Sequence, residues 1–569
     1  MCRSWHDTSH AEDTANRPGD ERLAYPRSVT STPEAASSDR ARADLAAYDT
    51  FGYDNVAFRA THADWLTAYA ALLGVQVVDL DTVRILELGC GRGGNLVAMA
   101  DDLPRARCVG VDHAPSQVAD GRDFAARAEV TNCTFIAADL VDVATDPALL
   151  GDTATFDVIV CHGVYSWVPD EVRHAIRSIV RSRLAPDGVA MVSFNTLPGW
   201  HARRIVRDAL RRVVPEGSPA EMAATARGFV QMWAEHGDDS GPLAAFMRHE
   251  FDLLDRLSDR YLFFEHLVEH NRAFYLDEVV ADMAAAGLRY LGDADPGTSN
   301  PAQLDADGAA AVIGLGLDAV GTEQILDLFT TRFFRRSLFC RDDATLGDGG
   351  TEAVSGLRVG ADLELISADV TLDAVDPAGS EISASFRDTD GATLSPHDAT
   401  TATMLWVLSD ARPDTVAVDA LVDDVARRRS VPVDDVRDDV CTVATELIMR
   451  GRLDAGRRVR HIATEVAATP IARRLARVQA LAGEPVITTA RHDHLAVDTL
   501  DRVLLRAMDG TVDRQGFVTL AFAAMETGEL TITSADGDPV TDQDSVGELV
   551  DAKLERFRIA GVLMRQHGR

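Results

Sequence analysis

The stretch Val83-Arg-Ile-Leu-Glu87-Leu-Gly89-Cys-Gly91-Arg-Gly93-Gly94-Asn95 constrains this chain more than any other. An apolar run enters a glycine-rich turn and leaves it on a helical pattern, which is the layout of a nucleotide-type loop. Glycine is required there because the turn takes positive φ and a ligand must approach the backbone without a Cβ in the way. The run opens a series of apolar segments, Val83 to Leu88, Cys108 to Val111, Cys133 to Ala137, Phe156 to Cys161 and Val189 to Phe194. Helical patterns fit between them at Asn95 to Asp102, Pro115 to Ala128 and Asp170 to Leu184. Fully apolar strands spaced by helices predict crossover units and a mostly parallel, doubly wound Rossmann-like α/β sheet covered on both faces.

The glycines satisfy two patterns. Gly89-x-Gly91-x-x-Gly94 fits the dinucleotide fingerprint, and Glu87-x-Gly89-x-Gly91-x-Gly93 fits the S-adenosylmethionine turn. The acid favours the second, because a pyrophosphate repels a neighbouring carboxylate while a ligand carrying an ammonium and a sulfonium attracts one. Asp112 ends the second strand, where it can accept both ribose hydroxyls, and an acid there also suits NAD. Asp139 ends the third, placed for the adenine amino group, and is the better discriminator. Glu87, Asp112 and Asp139 would line the carboxyl ends of adjacent strands, where open sheets bind ligands. NAD binding and an empty, degenerate pocket remain the alternatives.

The fourth strand ends in Cys161-His162-Gly163-Val-Tyr165-Ser-Trp167-Val-Pro169 and the fifth in Ser193-Phe-Asn195-Thr-Leu-Pro198-Gly-Trp200-His201. Aromatic residues at that end would face a bound methyl group as a dry wall tolerant of cations. An amine acceptor must arrive neutral, so His162 or Tyr165 is a candidate proton acceptor, and Asn195 could present its amide to the acceptor. The competing readings are that Tyr165 and Trp167 cap the sheet, that His162 bonds a backbone carbonyl and that Asn195 forms a turn.

Together, Glu-Leu-Gly-Cys-Gly-x-Gly-Gly-Asn, His-Gly-Val-Tyr-Ser-Trp-Val-Pro and Asn-Thr-Leu-Pro-Gly-Trp-His resemble the class I methyltransferases that carry a methyltransferase regulatory domain. That group includes bacterial protein-lysine methyltransferases acting on outer-membrane proteins. The likeness continues from Tyr261-Leu-Phe-Phe-Glu-His266-Leu-Val-Glu-His270-Asn271 to Tyr290-Leu-Gly and in Phe329-Thr-Thr-Arg-Phe-Phe-Arg335-Arg336-Ser-Leu-Phe-Cys340. Upstream, Tyr48-Asp-Thr-Phe-Gly-Tyr53 resembles the family's lead-in, whose tyrosines close over the cofactor. In this chain Gly52-Tyr53-Asp54-Asn55 replaces its proline-rich version. The resemblance implies a transferase taking methyl from S-adenosyl-L-methionine, with Tyr53, Glu87, Gly89, Gly91, Gly93, Asp112 and Asp139 toward the cofactor. His162, Tyr165, Trp167 and Asn195 fall toward the acceptor, and the later domain shapes its access. The acceptor expected is a protein side-chain amine, lysine. A small-molecule methyltransferase and a non-catalytic regulator or scaffold that holds the cofactor are the alternatives.

The resemblance and the pattern changes divide the 569 residues. A tail at 1–40, rich in Ser, Thr, Asp, Pro and Arg without periodicity, is expected to be disordered. A cofactor domain at 41–215 and a helical regulatory domain without clear strand alternation at 216–345 follow it. Residues 346–569 carry winged-helix-like segments at Met404 to Leu453 and Leu500 to Leu530. The glycine-rich Asp342 to Gly360 reads as a linker or exposed hairpin.

Composition narrows the partners. The formal net charge of −34 repels the phosphate lattice of nucleic acids and would steer basic polypeptides or amines toward a cleft. No run reaches the ~18 apolar residues of a membrane helix. Seven dispersed cysteines without a CxxC pair argue against a disulfide framework and a zinc knuckle, and a cytoplasmic protein is expected. A homodimer is compatible with this reading. No metal site is expected: His266-x-x-Glu269-His270 matches an inverted zincin pattern but reads as an ordinary polar helix face, and His492-Asp-His494 reads as surface. Arg203, Arg204, Arg207, Arg211 and Arg212 read as a solvated or acid-paired face.

Overall fold

The computed structural model describes residues 44–52, 55–76, 78–151, 155–238, 240–241, 243–368, 384–388, 391–396, 398–533 and 539–566. The tail expected at 1–40 lies outside the described residues.

A seven-stranded sheet is built from strands between Arg84 and Arg341. Its strands are β1 (Arg84–Leu88), β2 (Arg107–Asp112), β3 (Cys133–Ala137), β4 (Phe156–Cys161), β5 (Leu184–Asn195), β6 (Leu288–Asp293) and β7 (Phe334–Arg341), in the order β3-β2-β1-β4-β5-β7-β6. The pairs from β3 through β5 are parallel, and β7 runs antiparallel to both neighbours. Ile85, Leu86, Leu88, Val158, Ile159 and Val160 are fully buried, as a sheet covered on both faces demands. The strand order reverses between β2 and β4 around β1, which places the switch-point crevice at the carboxyl end of β1.

The region expected to be helical also supplies β6 and β7. Between β5 and β6 stand the helices Gly199–Val213, Pro219–His236, Ala244–Arg256 and Asp259–His266, which share a core over the carboxyl ends of the strands. β7 then inserts beside β5 and pairs Asn195 with Phe334. These strands escape periodicity analysis because β7 carries Arg335 with no exposed surface. Its guanidinium donates to Asp327 at 2.7 and 2.9 Å and to Glu323 at 2.8 Å, and lies 3.6 Å from Asp293. A buried cation held by three carboxylates breaks the apolar run that marks an inner strand.

Two helical units follow. In the first, Ala399–Ala411, Val418–Arg429 and Asp434–Met449 pack with a three-stranded sheet of Val416–Ala417, Arg358–Gly360 and Asp454–Gly456, sharing one core with the helix Ala63–Leu72. The second has its own core around Leu504, Phe517, Val546 and Phe557, on the helices Arg474–Leu481, Thr499–Arg506, Arg514–Glu526 and Gln543–Ile559. The glycine-rich segment expected as a linker or exposed hairpin is docked instead. Gly347 N–H donates to the carbonyl of Gly74 at 2.7 Å, and a Cβ at Gly349 would stand 2.4 Å from the carbonyl oxygen of Leu72. Among the described residues no helix is long and apolar enough to cross a membrane.

Candidate active site

A single cleft of about 800 Å³ opens at the carboxyl ends of β1 to β5 and continues under the helix Asp259–His266. One end is built from the glycine turn. Gly89 (φ +77°) and Gly93 (φ +75°) lie in the left-handed region, and a Cβ would meet Val164 at 2.3 Å and the Phe135 ring at 2.6 Å. Any other residue at either position adds a clash to a strained backbone. Gly91 N–H donates to Asp112 Oδ2 at 2.8 Å, and Ala114 N–H to Asp112 Oδ1 at 3.0 Å, so one carboxylate ties the turn to the end of β2. Asp139 Oδ1 caps the next helix by accepting from Val141 N–H at 2.8 Å, and its side chain is exposed to the cleft.

Glu87 is buried at the end of β1. Its Oε1 accepts from Asn95 Nδ2 at 2.8 Å, while Oε2 has no hydrogen-bond partner. Burial pushes its carboxyl up to about 8, with Asn95 opposing and the Asp112 charge adding to the rise. An orphaned buried carboxyl oxygen at a cleft wall is a site for a cationic group, which would repay the desolvation.

The other end of the cleft is aromatic. Trp167 meets Trp200 edge to face, with centroids 5.9 Å apart, and Phe333 and Phe334 arrive on the lead into β7. Arg203 lies 4.7 Å over the Phe333 ring and pairs with Glu250 at 3.2 Å. Tyr48 stacks on Phe264 at 4.4 Å, closing the wall from the chain's lead-in. Asn195 is buried with its Nδ2 unpartnered, its backbone fixed by Ser166 Oγ and the N–H of Phe274. Glu265 lines the same wall, and burial pushes its carboxyl up to about 7 against the opposing charges of Arg203 and Arg207.

Of the residues expected to face the acceptor, His162, Trp167 and Asn195 line the cleft and Tyr165 does not. Tyr165 is fully buried in the layer of Phe194 and Phe274, and Arg177 Nη1 donates to its hydroxyl at 2.8 Å. The turn beginning at Gly163 (φ +70°) carries the chain over the sheet edge and sends this ring back into the core. His162 sits between Phe58 and Phe334, and burial together with Arg336 lowers its pKa to about 3. It is a neutral wall with little basicity, so the role of proton acceptor passes from both sequence candidates. Tyr53 lies outside the described residues. Tyr48, named with the lead-in, does reach the cleft wall; residues given no site role from the sequence are Asn95, Trp200, Arg203, Tyr261, Glu265 and Phe334. Several stand inside the quoted regulatory-domain stretches, and that coincidence was the available signal.

The remaining motifs resolve differently. Among the described residues His266, Glu269 and His270 form no ligand group: His266 is buried and Glu269 pairs with Arg211. The arginine face is acid-paired, through Arg203–Glu250, Arg204–Asp208 and Arg211–Glu269, while Arg207 holds the carbonyls of Glu265 and Val268. His492 is not at the surface; it is buried and contacts Asn95.

Comparison with known proteins fits this layout. Residues 85–188 match a methyltransferase domain, 258–341 the predicted methyltransferase regulatory domain, and 469–560 the PKMT C-terminal winged helix domain. One uncharacterized protein of Rickettsia prowazekii is 25% identical over 549 residues, covering 94% of this chain and 96% of that protein. Another from the same organism is 30% identical over 237 residues, covering 41% of this chain and 92% of that protein. The chain belongs to the class I S-adenosylmethionine-dependent methyltransferases that carry a methyltransferase regulatory domain. The fold of this methyltransferase is shared with PKMT2 from Rickettsia typhi, solved in complex with AdoHcy, with a TM-score of 0.77, 24% identity and coverage of 90% of this chain and 99% of that one. The cleft of the methyltransferase also fits adenosylmethionine on its own evidence: the orphaned Glu87 Oε2, the Cβ-free turn and the two strand-end acids Asp112 and Asp139 stand at one end.

Proposed function

We propose that this methyltransferase modifies a side-chain amine, lysine, of a polypeptide. The observation that carries the reading is the continuity of the cleft, from the Glu87, Asp112 and Asp139 end to an acceptor end of Trp167, Trp200, Phe333 and Phe334 beside Glu265 and Asn195. Aromatic faces and a carboxylate are what a lysine side chain needs: a dry sleeve for its methylenes and counter-charge for its ammonium. The −34 net charge favours a basic polypeptide approaching that mouth. Likeness to the PKMT winged-helix model and to the PKMT2 fold supports the same acceptor class.

Each residue then has a task. Gly89, Gly91 and Gly93 give the backbone its close approach. Asp112 accepts ribose hydroxyls and Asp139 the adenine amino group. Glu87 Oε2 faces the ammonium of the amino-acid part, and Tyr48 covers the pocket. Bound adenosylmethionine supplies the electrophilic methyl group. The chain's own work is alignment, exclusion of water and removal of a proton from the amine. Trp167, Trp200 and His162 form the dry wall, Asn195 Nδ2 donates to an acceptor-side oxygen, and the Glu265 carboxylate takes the ammonium proton. Six described cysteines are unpaired thiols, which suits the reducing cytoplasm as the place of reaction.

The test is incubation with methyl-labelled adenosylmethionine and a lysate of the source cells, followed by mass spectrometry. Methyl-lysine in a protein other than the enzyme is the expected result; the enzyme's single lysine, Lys553, keeps the automethylation background to one side chain and the N-terminus. Label confined to small molecules would instead mark a small-molecule methyltransferase.

A further inference from the structure

A chain of buried polar groups runs from the C-terminal unit to the cofactor end of the cleft. His492 lies between the strands Val486–Thr488 and His494–Ala496, in the left-handed region (φ +59°) and 2% exposed. Its Nε2 stands 2.8 Å from Asn95 Oδ1, in the first turn of the helix Gly94–Asp102. Asn95 in turn donates from Nδ2 to Glu87 Oε1 at 2.8 Å. Behind His492 is His62, with ring centroids 4.7 Å apart, and His62 Nε2 lies 3.5 Å from Asp102 Oδ2 at the other end of the same helix. Arg458 and Arg473, both from the C-terminal region, hold Asp102 at 3.2 and 3.0 Å.

The proton positions follow from the partners. Burial lowers the pKa of both imidazoles, so each is neutral and carries one proton. His62 Nδ1 accepts from Asp64 N–H at 3.0 Å, so its proton is on Nε2. Asn95 Oδ1 can only accept, which puts the His492 proton on Nε2 and leaves Nδ1 as a lone pair beside His62. One ring nitrogen each of His62 and His492 and an oxygen of Asp102 converge within 4.8 Å, as in a three-ligand cation site. With the Nε2 lone pair of His62 occupied by a proton and two guanidinium groups on Asp102, that cluster repels a metal ion. The hydrogen-bonded relay runs from His492 through Asn95 to Glu87, and its direction matters. The proton on His492 Nε2, together with the Thr61 hydroxyl at 2.7 Å and the Phe58 N–H at 3.5 Å, holds the Asn95 amide with its NH₂ toward Glu87.

We propose that His492 is a positioning residue for the cofactor: through Asn95 it sets the Glu87 carboxyl, so that the C-terminal unit completes a pocket on the far side of the sheet's first helix. The proposal rests on the reading that Glu87 faces the cofactor's ammonium. It gives the C-terminal region a part in cofactor affinity, in addition to any part in acceptor choice.

The experiment compares His492→Asn and His492→Gln in the full-length enzyme. Asparagine tolerates the left-handed backbone but is too short to reach Asn95, whereas the glutamine amide nitrogen reaches the position of imidazole Nε2 and can donate. The expected result is an adenosylmethionine Kd and KM raised about tenfold in His492→Asn. Recovery to within about twofold is expected in His492→Gln, with kcat at saturating cofactor little changed in both. Combining His492→Asn with Asn95→Ala should add nothing to Asn95→Ala alone, because the two act in series. Glu87→Gln separates the failures. If Glu87→Gln weakens binding while both His492 variants bind normally, or if Asn and Gln lose equally, His492 is only structural and the proposal is overturned. If Glu87→Gln itself leaves Kd unchanged, the reading of Glu87 fails and the proposal falls with it.

Discussion

The two ends of the cleft are built by different means. The cofactor end is local: Glu87, Gly89, Gly91 and Gly93 lie within seven consecutive positions, Asp112 ends the next strand, and Asp139 stands two residues past the end of the one after it. The acceptor end is assembled at long range, with Tyr48, Trp167, Asn195, Arg203, Glu265 and Phe334 brought together by the helical cover and by the insertion of β7 beside β5. A universal cofactor can be served by a short motif whose geometry the sheet dictates. A particular acceptor needs a wall whose members can vary separately, and that wall is drawn from the elements added to the sheet.

If this division is real, substitutions at the two ends separate in kinetics. Asp112→Asn gives the largest effect. It weakens two backbone hydrogen bonds and removes charge-assisted bonds to ribose, so the adenosylmethionine Kd should rise about 100-fold by calorimetry while acceptor KM is unchanged at saturating cofactor. Trp167→Ala is the mirror image: acceptor kcat/KM should fall about 30-fold in a steady-state assay, with cofactor Kd within about twofold. Parallel losses in both parameters for either variant would break the comparison.

Smaller effects sharpen it. The raised pKa of Glu265 makes its carboxylate the dominant form only above pH about 7, so acceptor kcat/KM should climb through that pH. Glu265→Gln should lower the plateau about tenfold and remove that limb of the profile. Tyr165→Phe should leave both Kd and kcat/KM unaltered and cost only about 1–2 kcal/mol in denaturant unfolding, through loss of the bond from Arg177. A tenfold fall in kcat for Tyr165→Phe would return this tyrosine to the cleft.

These contrasts also explain what the sequence could and could not reveal. Five apolar runs and a glycine turn specify β1 to β5 and their crossover helices, because the inner runs, such as β1 and β4, are buried on both faces and need no partner to be recognised. β7 is hidden by Arg335, whose charge is satisfied only by Asp293, Glu323 and Asp327 from elsewhere in the fold. Tyr165 and His492 fail for one reason: the direction of a side chain at a turn is set by backbone geometry, Gly163 at φ +70° in one case and His492 itself at φ +59° in the other, and residue spacing does not encode it. Trp167 and Asn195 were legible because the ends of β4 and β5 must open onto the crevice. Glu265 was not, since a glutamate in a helical stretch looks like solvent-facing charge until the helix is seen lying over the cleft.

The raised pKa of Glu87 supplies the most direct test. Folded apo protein holds a proton on Glu87 up to about pH 8, whereas the unfolded chain releases it near the ordinary carboxyl value. Its contribution to stability therefore falls as pH rises through that window. A cationic cofactor settling beside Oε2 lowers that pKa and expels the proton. Calorimetric titration with adenosylmethionine at pH 7, in two buffers of different ionisation enthalpy, should show one site per chain with release approaching one proton, and Glu87→Gln should bind more weakly with no buffer dependence. Absence of binding, or binding whose proton release is the same in Glu87→Gln, would contradict the assignment of this end of the cleft to the cofactor.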